Sequence, residues 1–505
     1  MKLRYIIMAA SAAMLSVSCS FLDLSDPNAV TTGNYYQTEN DIAQSVNGVY
    51  ASLYGGNVLG STNAYFEDAK ARLVTYPDVG VGGGENASFD NCTVKPSSSN
   101  VASRWNDCYK CIDRANVVLK HINDVKYSSE SIKNQYEAEV RFARAYAYYQ
   151  LVTSFGDVPL VLSKLETLDA VNAANVRVSK DKVYEAIFAD CKFAAESSLP
   201  DLQNKTNCGK ASKVAAYTLW GKAALQMATD EDYAARKSEM LGVAKTALNA
   251  AWSKKPFADF TALPVEDAFT VDVQDDAPEN IFQISYITGN SAASTSLCST
   301  FRPSTIDDPA FETNGKSSAG SFFMRSSAND PNGKWMFTTE KIYDEAGDQR
   351  FEKLMAHGNH QGVETYYPLK YRDLDESGYY GCNLVVLRYA DVVLMLAEAE
   401  YHGGATTEAQ KWLNMARNRA GLGNCTATGS ALRDAIYKER NREFAYEFKG
   451  WSDRRRGYTR AELVDLMKNQ DDATEYSDTD YYLPIPHAQY LLNPTGIWQN
   501  PGYNE

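Results

Sequence analysis

The sequence predicts a mainly α protein, a tetratricopeptide-like helical repeat scaffold carrying a large irregular insertion with short β pieces. Three observations lead there. Apolar residues recur at helical spacing in paired segments, small residues crowd the faces where helices would meet, and the periodicity lapses from about 256 to 385.

The chain opens with Lys2 and Arg4, followed by the apolar run Tyr5 to Val17 of 13 residues. Crossing a bilayer takes roughly 20 apolar residues, so 1–18 reads as a cleaved export signal. Cys19 follows the small residues Ser16-Val17-Ser18 and stands where bacterial lipoproteins accept lipid. At ~0.8 kcal/mol per buried CH₂, two or three acyl chains would anchor it durably. An ordinary signal-peptidase site just before a cysteine is the alternative. Residues 19–39, rich in turn formers, then form a tether.

From about Asn40 a helix begins, with Ile42, Val46, Val49 and Leu53 on one face. Residues 57–100 lose the pattern, and the glycines at 80, 82, 83 and 84 give them the composition of exposed loop. Helices return at about 101–122 and 130–154, with Glu137 and Arg141 paired on an outer face, and the second stops at Phe155-Gly156-Asp157-Val158-Pro159. A further pair covers about 180–198 and 211–229, where Ala215, Ala216, Gly221, Ala223 and Ala224 allow close approach. This helical region runs over 40–250. The insertion at 256–385 contains β-prone Ile281 to Tyr286 and is too long for a connecting loop, so it is expected to carry functional surface. Over 386–505, helices are expected at Val386–His402, which is apolar all round and therefore buried, and at about 406–420 and 430–449.

Composition narrows the function. A net charge of −14, with no basic run longer than Arg454-Arg455-Arg456, argues against nucleic acid. Contact with membrane is left to the anchor. Apart from Cys19 there are eight cysteines, read as scattered buried thiols or one or two bridges. Cys108 and Cys111 lie inside a helical pattern, which is the wrong setting for a redox pair.

Catalytic patterns are thin. Glu398 and Glu400 face different ways on one helix, and Glu443 and Glu447, near Arg440 and Arg442, read as a solvated ion-pair face. Gly315 to Gly320 misses a nucleophile elbow by one residue, no H-E-x-x-H occurs, and the glycine cluster lacks a dinucleotide loop's spacing. No cofactor is expected. Asp373-x-Asp375-x-Ser377-Gly378 resembles half a calcium loop, but Leu384 stands where a bidentate Glu belongs, and His357 and His360 are isolated.

Taken in order, several segments resemble the SusD/RagB family of nutrient-capturing surface lipoproteins. They are Glu139 to Tyr146 running into Phe155 to Leu160, Arg388 to Ala399, Arg417 to Leu422, Leu483-Pro484-Ile485-Pro486 and Gln499 to Tyr503. Glu447 to Gly457 departs from the family's usual longer version. The resemblance implies a tetratricopeptide-like scaffold facing a SusC-like TonB-dependent transporter, an irregular region carrying ligand, and a lipid at Cys19 holding the globule outside the outer membrane. Oligosaccharide capture without catalysis is the expected function. Peptide capture is the nearest alternative, and a surface glycoside hydrolase or a ligand-free scaffold are further ones.

A saccharide asks for aromatic faces and planar polar groups. The stretch 57–100 offers Tyr65, Phe66, Arg72, Tyr76, Asn86 and Phe89, and the insertion offers Tyr286, Arg302, Phe322, Phe323, Arg325 and Trp335. For each, a packing role competes with ligand contact. Trp105, Trp220, Trp412 and Trp451 lie in or beside helices and are read as structural.

Overall fold

The computed structural model describes residues 35–75, 84–303, 323–330, 332–360, 362–375 and 377–503. The signal, Cys19, Tyr76 and the glycines at 80–83 lie outside them.

Helix α1 (Glu39–Leu53) starts at a capping box in which Thr38 and Asp41 satisfy each other's backbone N–H groups. Serines cap the next four long helices, α2 (Ser99–His121), α3 (Glu130–Phe155), α4 (Lys180–Glu196) and α5 (Lys213–Thr229). Each such side chain accepts a hydrogen bond from an otherwise unpaired N–H of the first turn. Helix α3 ends at Gly156, whose φ of 73° suits a residue without Cβ.

The helices pack in sequence, each against the next, from α1 through α5 to α6 (Lys237–Ser253). Close approach of α5 and α6 depends on Gly221, where a Cβ would stand 2.6 Å from Leu248 Cγ. Helix α6 then packs directly on α7 (Tyr389–His402), so the stack resumes as though the residues between were looped out. Helices α8 (Thr406–Arg419), α9 (Gly429–Glu443) and α10 (Gly450–Gly457) complete it, with α7 against α8 and α9.

The described residues form three antiparallel sheets: a short pair of Val158–Pro159 with Arg177–Val178, and two to which the insertion contributes. One has the order β1-β3-β5-β4, made of β1 (Val74–Thr75), β3 (Phe323–Met324), β5 (Val363–Pro368) and β4 (Met355–His360). The other pairs β2 (Asn280–Ile284) with β6 (Leu384–Arg388). The β-prone stretch at 281–286 therefore finds its partner in residues expected to begin a helix. Val386 to Arg388 are strand, and α7 starts at Tyr389.

Three expectations are corrected. The described parts of 57–100 are largely buried: Val58, Leu59, Ala64, Phe66, Ala69, Ala71, Leu73, Val74 and Phe89 all lie in the core. They fold through a short π-helical turn, Ala64–Ala69, and the helix Gly84–Asp90, whose lengths are too short to show a period. Helix α9 stops at Glu443, because Tyr446 and Phe448 take φ of 63° and 57°, incompatible with a continuing helix. Glu443 and Glu447 are buried rather than solvated. Glu443 meets Arg388 at 2.6 Å and Arg350 at 2.9 Å, while Glu447 meets Lys370 at 2.6 Å and Arg388 at 2.8 Å. Burial pushes the Glu443 carboxyl up, but Arg388, Arg350 and Arg419 outweigh it and hold it well below the usual carboxylate range.

The basic triplet is buried too. Arg454 lies 3.7 Å from the Phe337 ring centre, Arg455 lies 4.2 Å from that of Tyr481, and Arg456 pairs with Glu398 at 2.7 Å. Glu400 points elsewhere, to Lys245 at 3.3 Å. The eight described cysteines are all free thiols. Burial pushes the Cys108 thiol up to about 12 and Cys111 higher still, the reverse of what redox chemistry needs.

Candidate functional site

Pairing of β1 with β3, Thr75 opposite Phe323 and Val74 opposite Met324, brings two distant candidate segments side by side. Arg72 enters from one and Arg325 from the other, and both meet Asp471. Arg72 Nε donates to Asp471 Oδ2 at 3.0 Å, and Arg325 Nη1 to Oδ1 at 3.1 Å. Arg72 Nη1 also donates to the Asp90 carbonyl at 2.5 Å, from a backbone φ of 56°. All three side chains are buried. Burial pushes the Asp471 carboxyl above its ordinary range despite Arg325, Arg454 and Arg72 around it, so those cations only partly repay its desolvation.

What this buried knot supports is Trp335. The Arg325 guanidinium lies over the indole, 3.7 Å from its ring centre. Such a contact contributes ~0.5–2 kcal/mol depending on desolvation. The tip loop is held by its backbone: Trp335 N–H donates to Asp330 Oδ2 at 2.7 Å, and Met336 N–H to Asp471 Oδ1 at 3.1 Å. Trp335 is half-buried, while Asn332, Gly333, Lys334 and Met336 are exposed around it. Asn332 Nδ2 donates to Asp472 Oδ2 at 2.7 Å, and Lys334 lies 3.7 Å from that carboxylate, which puts planar polar groups beside the indole.

Of the sequence candidates, Arg72, Arg325 and Trp335 thus come together. The two arginines, being buried, act as supports beneath the surface. Phe66 and Phe89 are core residues packed edge to face at 5.2 Å, with the Arg104 guanidinium 4.3 Å from the Phe66 ring centre, so packing is the role their burial leaves them. Tyr65 packs on Phe89 at 5.8 Å, and Asn86 accepts from Asn100 Nδ2 at 2.8 Å. Tyr286 is half-buried beyond the end of β2, its N–H donating to Asn383 Oδ1 at 2.8 Å. Arg302 is buried. Tyr76 directly follows β1, but both it and Phe322 lie outside the described residues. Trp105, Trp412 and Trp451 are buried and Trp220 partly so. Sequence reasoning missed Asp471 and Asp90. Neither sits in a motif, and only the fold reveals them.

The half calcium loop is closed on itself. Asp373 Oδ2 accepts from Thr288 Oγ1 and from Gly381 N–H, both at 2.7 Å, and Asp375 Oδ1 from Ser377 N–H at 2.8 Å. Among the described residues no three His, Cys, Asp or Glu side chains gather as a metal would require. None of the helices is long and apolar enough to cross a membrane, again among the described residues.

The fold and site define the class as a helical-repeat scaffold with a sheet, presenting at its surface an aromatic side chain backed by buried charge. Two family models match the chain: the SusD family over residues 352–503, and "Starch-binding associating with outer membrane" over 20–225. SusD-like protein P2 of Formosa agariphila is 25% identical, covering 96% of this chain and 97% of its own. A SusD superfamily protein from Bacteroides fragilis superposes with TM-score 0.74 at 20% identity, over 92% of this chain and 99% of its own. A laminarin-binding SusD-like protein does so at 0.72 and 23%, over 93% and 100%. The chain belongs to the SusD/RagB family.

Proposed function

We propose that this protein is a non-catalytic, lipid-anchored glycan-binding protein of the outer membrane, exposed at the cell surface. It captures oligosaccharide and passes it to a partner TonB-dependent transporter. The observation that carries the reading is Trp335, a half-buried indole backed by Arg325 and fixed by Asp330 and Asp471. A preorganised aromatic face contacts the C–H side of a sugar ring with little side-chain entropy left to lose, and Asn332, Lys334 and Asp472 supply hydroxyl partners. The family description of starch binding at the outer membrane supports the same reading, as do the printed names of the laminarin-binding and surface glycan-binding neighbours. The lipid at Cys19 keeps the protein concentrated beside the transporter, so modest affinity suffices.

Affinity electrophoresis through gels containing laminarin, starch or other glycans tests the reading. The parent protein is expected to be retarded by one of them and Trp335→Ala to be retarded far less. Retardation by none of them, or release of new reducing ends from the glycan, would overturn it.

A further inference from the structure

A second groove, of about 820 Å³, opens on a different part of the insertion and shares no residue with the Trp335 cluster. That volume is in the range of small-molecule sites, ~300–1,000 Å³. Its walls are the segment Glu266–Asp272 and the turn Leu369–Asp375 after β5, with Lys353, Leu354 and Thr288 between them. Phe269 and Leu354 are buried beneath it, while Leu374 stands 52% exposed at its edge, a large apolar side chain facing solvent.

The charged groups of the walls divide into two sets. Lys353 pairs with Glu266 at 2.8 Å, Asp373 is held by Thr288 and Gly381, and Asp375 by Ser377. These contacts stiffen the walls. Asp272 and Arg372 remain, both exposed and of opposite sign, with neither side chain in an ion pair or side-chain hydrogen bond among the described residues. An anion entering here would meet four carboxylates, and a cation would meet Arg372 and Lys353. A neutral polyhydroxyl ligand suits both ends, donating to Asp272 and accepting from Arg372, while its C–H faces lie on Leu374 and Leu369.

We infer that this groove is a second contact site for a neutral glycan chain, separate from Trp335 and engaged when the chain is long enough to reach both. The inference rests on the glycan-binding reading above. Two weak contacts on one polymer act through effective concentration, so the groove adds avidity for polysaccharide and little affinity for short fragments.

The test compares the full-length protein with Asp272→Ala/Arg372→Ala, Trp335→Ala and the triple variant. All the changes are at solvent-accessible side chains, and unchanged melting temperature confirms folding. Retardation is measured in laminarin and starch gels, and affinity for laminaritriose and maltotriose by calorimetry. The groove double variant is expected to lose at least about tenfold in polymer affinity while trisaccharide binding to the Trp335 site stays unchanged. Trp335→Ala should keep a weak retardation that the triple variant lacks. Equal polymer affinity in the parent and the double variant, with the parent retarded, overturns the groove and leaves the Trp335 reading standing. A parent retarded by no glycan overturns both. Binding of triglycine that is lost in the double variant, with glycan retardation unaffected, replaces the glycan with a peptide as occupant.

Discussion

The helical stack and the sheet beside it use buried arginine in opposite ways. Where the insertion meets the stack, Arg350, Arg388 and Arg419 are ringed by Glu279, Glu439, Glu443 and Glu447, and the guanidinium groups are occupied by carboxylates. At the sheet, Arg72 and Arg325 share Asp471, and the face of Arg325 is left to carry Trp335. A closed network holds helices in register and has nothing left to offer a ligand. The shared carboxylate fixes a cation beneath an aromatic ring that still reaches the surface.

The sharpest way to break this contrast is Glu443→Ala, which strips Arg350, Arg388 and Arg419 of a common partner. Leaving buried charge uncompensated typically costs ~3–5 kcal/mol, to be read as a lower urea midpoint. Next, Asp471→Asn should cost ~2–3 kcal/mol and weaken glycan retardation together with stability, since it loosens both arginines and the tip loop. Trp335→Ala should separate the two effects. Affinity falls by ~2 kcal/mol, roughly thirtyfold, while the urea midpoint hardly moves.

Acidity sharpens the comparison further. Asp391, Glu398, Glu443 and Glu447 are buried, yet neighbouring arginines and lysines hold them below the usual carboxylate range. Their stabilisation is therefore complete above about pH 4–5 and drains away as pH falls below it. Asp68 is the reverse case: burial pushes its carboxyl up to about 7, although Gly450 and Phe448 N–H groups donate to it. The folded state then favours its protonated form. Its contribution is greatest below about pH 4 and declines as pH rises towards 7. Urea midpoints across pH 3–8 should rise out of acid and then sag, and Asp68→Asn should make the sag shallower, leaving the part due to other buried carboxyls such as Asp471. The smallest effect expected is at the thiols. Cys208 and Cys425, half-buried, should react slowly with a thiol reagent in the native protein, and the other six described cysteines only on unfolding.

Much of the scaffold was legible because long helices repeat their pattern enough times to be read. Ile42, Val46, Val49 and Leu53 are all buried on α1, and Gly156 ends α3 where Gly and Pro forecast a break. The errors have separate causes, and within 57–100 the elements are too short to show a period. Glu443 and Glu447 look like a surface pair because sequence spacing cannot show that Arg388, Arg350 and Lys370 arrive from the insertion and its far boundary. The site was half legible: Arg72, Arg325 and Trp335 were picked by residue type, but a shortlist by type also admits Phe66 and Phe89. Asp471, which joins the two arginines, belongs to no motif.

Because α6 and α7 lie against each other, the chain departs from the array and rejoins it at adjacent points. Lengthening such an excursion is cheap, ~0.6 kcal/mol for each doubling. The array is thus a socket into which different excursions could be exchanged, provided each brings the equivalents of Arg350 and Lys370, which pair with the carboxylates of α9 and the turn after it, and of Glu279, which pairs with Arg388 and Arg419. New ligand preferences could then arise by swapping a cassette while the frame beneath it keeps its shape.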